Sequence, residues 1–235
     1  MYIVLFIVGG IFALIGMLVG RKLKSKFKHY SQMALSNGMS GAEIAAKMLQ
    51  DHGIFDVKIT QVNGELTDHY NPINKTVNLS EVVYNERNAA AAAVAAHEVG
   101  HAVQHAQAYA WLGFRSKMVP MVNLSSKILN IANMILLFGA GALLYGGNPM
   151  GQALLLVLIA ANVFITVFAL ITLPVEFDAS NRALAWMDEK QMVTSGEHAG
   201  AKDALKWAAM TYIVAALGAI ANLLIYVLMF LGNRD

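Results

Sequence analysis

The sequence predicts a mainly α integral membrane protein, in which four transmembrane helices carry a small cytosolic α+β unit built around one motif helix. Three observations predict it. Charge is segregated: residues 1–20, 128–175 and 207–233 contain no Asp, Glu, Lys or Arg, and about 20 apolar residues suffice to cross a bilayer. The chain is 57% hydrophobic and only 14% charged, where an ordinary soluble domain is about a quarter charged. Between the first two apolar stretches, the run AAAAAVAAHEVGHAVQHAQ places an HExxH pattern on strong helix formers.

The first span is expected at about 2–20. Arg21, Lys22, Lys24, Lys26 and Lys28 follow it directly and nothing positive precedes it. The positive-inside rule then places residues 21–28 in the cytosol and the N-terminus outside. A secretory signal carries its positive charge before the apolar run, so residues 1–28 read as an anchor with a basic stop. This basic run is a topogenic and anionic-lipid anchor and needs no nucleic-acid partner. The charge-free stretch 128–175 is long enough for two spans, about 127–146 and 152–173, joined by a turn at Gly146-Gly147-Asn148-Pro149. The fourth span is expected at about 208–231. Alternation gives a cytosolic unit at 29–118, a transmembrane hairpin at 119–173, a cytosolic helical segment at 174–207 and a C-terminal span in 208–235. Both termini then lie outside and the motif lies inside. The spacing of Gly16 and Gly20 suits close helix packing, within the molecule by default or in a homo-oligomer.

Within the cytosolic unit, Ser40-Gly41-Ala42-Glu43 reads as a capping box opening a helix that stops near Gly53. Residues 55–62 alternate like a strand. Asn63-Gly64 is a tight-turn signal, and a second extended piece is expected at about 74–79. Asn88 is placed to cap the motif helix. An edge strand near that helix would take a peptide in extended form. Trp111, Leu112 and Phe114 behind it are expected at the membrane surface.

The motif carries chemistry because residues i and i+4 share a helix face. His97 and His101 can therefore both aim an imidazole at one zinc ion, and Glu98 can act as general base on a water there. With no cysteine in the chain, disulfides and thiolate ligands are excluded. His105 lies about 12 Å along the axis from His97 and cannot share the ion. A catalytic zinc takes three protein ligands. Position 104 is Gln rather than Gly, so HExxHxxGxxH is absent and the third ligand lies elsewhere. His69, Glu176, Asp178 and His198 are the candidates. Glu176 is favoured as the first charged residue after Lys127, just past the third span. Asp178 lies about 200° round a helix from it and is expected to cap or to pair with Arg182. Tyr212 and His69 are candidates for a second oxyanion donor.

The segments TDHYNP, VAAHEVGHAVQ, LPVEFDAS and AAMTYIVAAL, set between spans, are similar to the YugP-type membrane neutral zinc metallopeptidases, and the similarity runs over nearly the whole chain. More distantly the chain resembles the membrane gluzincins of the CAAX prenyl protease and HtpX group. These resemblances imply a zincin-like unit with His97, His101 and Glu176 as ligands of one zinc ion and Glu98 as catalytic base. They also imply a peptide or membrane-protein substrate, and an address in the bacterial plasma membrane. Ser180 departs from the Asp of the distant group, so either another residue supports the ligand His or the site is tuned differently. The rival reading is a non-proteolytic metal-binding, transport or scaffold protein. Transport fits poorly, because the spans contain few polar groups beyond Asn130, Asn133, Asn162 and Asn222.

Overall fold

A computed structural model describes residues 2–137 and 149–232. In chain order these form α1 (Tyr2–Tyr30), α2 (Gly41–Asp51), β1 (Lys58–Val62), β2 (His69–Asn71), β3 (Thr76–Ser80), α3 (Glu81–Asn85), α4 (Ala89–Ala106), α5 (Ala110–Leu137), α6 (Pro149–Glu189) and α7 (Ser195–Gly232). The protein is mostly helical with one small sheet. Among the described residues, α6 and α7 are the two helices long and apolar enough to cross a membrane, with mean hydropathies of 2.9 and 2.4 over their most apolar windows. The expected first span lies in continuous helix α1. The expected second span, 127–146, passes beyond Leu137, so its end and most of the GGNP turn lie outside the described residues.

The chain divides into two compact units. One comprises Met1–Leu18, Phe114–Leu173 and Thr211–Asp235. Its core gathers Ala132, Leu155, Leu158, Ile225, Tyr226 and Met229. Thr166 there donates its hydroxyl to the Ala219 carbonyl at 3.2 Å.

The other unit comprises Val19–Gly113 and Pro174–Met210 and holds the motif. Ser40 and Glu43 make the expected reciprocal capping box on α2. Gly53 follows the helix with φ +68°, a conformation open to glycine at little cost. Asn88 caps α4 by accepting the Ala91 N–H at 2.9 Å, an interaction typically worth about 1 kcal/mol. The alanines of α4 from Ala91 to Ala102 are buried in one core with Ile44, Met48, Leu79 and Val83, and the far end of α6 adds Ala183, Trp186 and Met187 to it. Small side chains let these elements approach the motif helix closely. Trp186 Nε1 also donates to Asp51 at 3.0 Å, tying α6 to α2.

The sheet departs from a simple hairpin reading. Asn63-Gly64 does not join two paired strands. β3 is central, parallel to β1 and antiparallel to β2, in the order β1-β3-β2. β2 falls on His69-Tyr70-Asn71, between the two extended pieces that the sequence predicts. It is an edge strand set against α4, where the Tyr70 hydroxyl lies 2.7 Å from His105 Nδ1. The segment behind the third span begins as helix, continuous with the apolar stretch before it. α6 passes through Pro174 without a break and extends for 41 residues. That is about 60 Å of helix, twice the hydrocarbon thickness of a bilayer.

Candidate metal centre

The motif helix and the far half of α6 cross at a point where neither carries bulk. A Cβ built on Gly100 would lie 2.5 Å from the Ala179 carbonyl oxygen. Glycine in the motif and alanine on α6 therefore permit a backbone approach that brings Glu176 to the histidines. His97, His101 and Glu176 each offer one ligand atom, and these lie within 4.8 Å of one another. One Glu176 oxygen is 3.3 Å from His97 Nε2 and 3.6 Å from His101 Nε2. The two imidazoles meet edge to face with centroids 4.8 Å apart. Glu176 and His101 are buried, and His97 is slightly exposed.

The other nitrogen of each ring is held. His97 Nδ1 lies 3.0 Å from Ser180 Oγ. His101 Nδ1 lies 3.0 Å from Gln104 Oε1. Gln104 is fully buried, and its Nε2 donates to the Val175 carbonyl and to Asp178, both at 2.8 Å. An amide whose nitrogen is so committed presents only its oxygen to His101, which can only accept. In the neutral imidazole the proton therefore sits on Nδ1, which leaves Nε2 as the donor atom on the Glu176 side. Arg182 extends the chain outward, donating to Asp178 at 2.5 Å and to Gln107 at 2.6 Å.

The electrostatics favour a cation. Burial disfavours charge on Glu176, but His101 and His97 outweigh it and hold the carboxyl well below the usual range. Burial likewise opposes a charged His101. Glu176, Glu98 and Gln104 prevail and raise it above the ordinary histidine value. The same negative potential that draws a proton to this point draws a metal ion. Two imidazole nitrogens and one carboxylate oxygen form the donor set of a catalytic zinc, which leaves a fourth position for water or substrate. The residues present fit such an ion. Glu98, beside His97 in sequence, is buried at 7% exposure, and its charge is felt at His101.

The other sequence candidates are not members of this cluster among the described residues. His105 pairs with Tyr70. His69 is on β2, with Nδ1 2.8 Å from the Thr67 carbonyl. His198 lies in the first turn of α7, where its N–H donates to the Thr194 carbonyl. Asp178 joins Gln104 and Arg182, so its place is beside the ligands. Tyr212 belongs to the other compact unit. Two features escape the sequence reading. Support for a ligand histidine comes at Ser180 itself, through its hydroxyl, and Gln104 supports the other. Gln104 is three residues beyond His101, a spacing that shares a helix face, and that was the available signal.

A family model described as "Putative neutral zinc metallopeptidase" matches residues 3–231. The chain belongs to this family. It is 43% identical over 214 residues to the "Putative membrane protease YugP" of Bacillus subtilis (strain 168), covering 91% of each chain. No solved structure gives a significant match. Family membership therefore rests on sequence, and the donor geometry on the fold.

Proposed function

We propose that the protein is a membrane-embedded zinc metallopeptidase of gluzincin type that hydrolyses peptide bonds at the cytosolic membrane face. The observation that carries this reading is the convergence of His97, His101 and Glu176 on one point, with Glu98 adjacent in the motif. Family membership and the name of the Bacillus relative support the reaction class. The basic run 21–28 supports the cytosolic address.

His97 Nε2, His101 Nε2 and a Glu176 oxygen would hold the zinc ion. When bound, zinc supplies a Lewis acid that acidifies water and polarises a carbonyl. Glu98 accepts the proton of the attacking water and passes it to the leaving amine nitrogen as the C–N bond breaks. Ser180 and Gln104 keep the imidazoles turned towards the ligand point, so no reorientation is needed on binding. A peptide or membrane-protein segment is the substrate class, and the β2 edge beside α4 is a candidate seat for an extended chain.

Zinc content and peptidase activity of the purified full-length protein test the ligand set. The wild type should hold one zinc per chain, and His97→Ala, His101→Ala and Glu176→Ala should each lose both zinc and cleavage. Stoichiometric zinc in all three variants would overturn it. Zinc binding with no cleavage of any membrane-protein mixture would favour a metal-binding or scaffold role instead.

A further inference from the structure

The basic residues behind the first apolar segment fall into two different surroundings. α1 is continuous through them, so residues four apart share a face and residues two apart lie about 200° round the helix. Lys22 and Lys26 share the face that α7 engages. Lys26 Nζ is 2.7 Å from an Asp203 oxygen, which also accepts the Tyr30 hydroxyl at 2.7 Å. Lys22 stands 5.8 Å from the centre of the Trp207 ring. These two lysines fasten one helix to another.

Lys24 and Lys28 occupy the other face, and neither has an ion-pair partner among the described residues. With Phe27 they line a pocket of about 300 Å3 whose other lining includes Leu66, Val82 and Glu65. The lining is mainly apolar, and Leu66 and Val82 stand about 40% exposed. The wall opposite α1 is fixed in place. Asp68 accepts the Ser80 N–H at 2.6 Å and the Ser80 hydroxyl at 3.2 Å, fastening the loop that carries Leu66 to the end of β3. Two unpaired ammonium groups facing exposed aliphatic side chains suit a ligand that is anionic at one end and greasy at the other.

We propose that this pocket binds the phosphodiester of an anionic membrane phospholipid. Lys24 and Lys28 hold the phosphate, and Phe27, Leu66 and Val82 pack against the glycerol carbons. The proposal rests on the reading that α1 enters the bilayer through residues 2–20. The distances suit it. Lys24 is about 6 Å and Lys28 about 12 Å beyond Gly20 along the helix, while the headgroup layer is about 5–8 Å deep on each side. Lysine stems reach back by snorkelling. The formal charges of Lys24, Lys28 and Glu65 sum to +1, which balances one phosphodiester. A soluble phosphate would gain nothing from the apolar wall.

The test uses full-length protein reconstituted in vesicles of equal phosphatidylglycerol and phosphatidylcholine, with co-purified lipid counted by mass spectrometry. The wild type should retain phosphatidylglycerol in excess. At about fivefold per lysine, Lys24→Ala with Lys28→Ala should cut that retention roughly twenty-five-fold. Lys22→Ala with Lys26→Ala should leave it within about twofold. Leu66→Asp should lower retention while the protein stays folded. Added inorganic phosphate should not displace the lipid. Equal retention in the two lysine pairs, or displacement by inorganic phosphate, would overturn the pocket. A protein that stays monodisperse in buffer without lipid or detergent would instead overturn the spanning reading beneath it.

Discussion

Gly100 has no room for a side chain, because a Cβ there would press on the Ala179 backbone at 2.5 Å. Gly100→Ala is therefore expected to push α6 from α4 and to destabilise the motif unit by about 1–3 kcal/mol. Because Ala179 lies three residues beyond Glu176, zinc affinity should fall as well. Thermal unfolding and a zinc competition titration together check this, and an unchanged affinity would remove the close crossing from the account. Gln104 makes a second prediction. Its amide fixes the His101 tautomer through three contacts. Gln104→Leu, similar in volume, should weaken zinc binding about 10–100-fold with little change in secondary structure. Of the site residues, His97, Glu98 and His101 were legible because helical periodicity alone brings them together. Glu176 was legible from the charge map. Gln104 carried a local signal in its three-residue spacing from His101, whereas Ser180 becomes a partner of His97 only through a long-range packing that local pattern does not encode.

At the scale of elements, local chemistry was read well and long-range pairing was not. The Ser40–Glu43 capping box and the Asn88 cap lie where short-range signals place them. The parallel pairing of β1 with β3 needs residues 18 apart to meet, and β2 is only three residues long. α6 continues through Pro174, although proline removes one backbone donor from a helix interior. The entry to α7 gives a pH prediction. Burial disfavours the Glu197 charge, but the N–H groups of Thr194 and Ser36, each 2.6 Å away, prevail and hold its carboxyl below the ordinary value. A carboxyl whose folded pKa is lowered stabilises the fold above the unfolded value, about 4.3. That contribution is lost as pH falls towards the folded value. Melting temperatures measured from pH 7 down to pH 3 should fall, and the acid-side drop should be smaller in Glu197→Gln. An identical pH dependence in the variant would contradict the assignment.

For the whole molecule, segregated charge predicts four spans, and among the described residues α6 and α7 are the two helices long and apolar enough to cross a membrane. The proposed four-span arrangement predicts opposite sides for the hairpin turn and for the start of α7. The chain has no cysteine, so single substitutions give clean reporters. Asn148→Cys should react with a membrane-impermeant maleimide in intact cells, and Ser195→Cys only after permeabilisation. The same labelling at both positions would contradict the arrangement. The proposed reaction is hydrolysis with Glu98 as base at a zinc ion held by His97, His101 and Glu176. The most direct test is Glu98→Gln, purified beside the wild type, with zinc content and cleavage of a membrane-protein mixture measured on the same samples. One zinc per chain is expected in both proteins and cleavage in the wild type alone. Cleavage by the variant at the wild-type rate would contradict it.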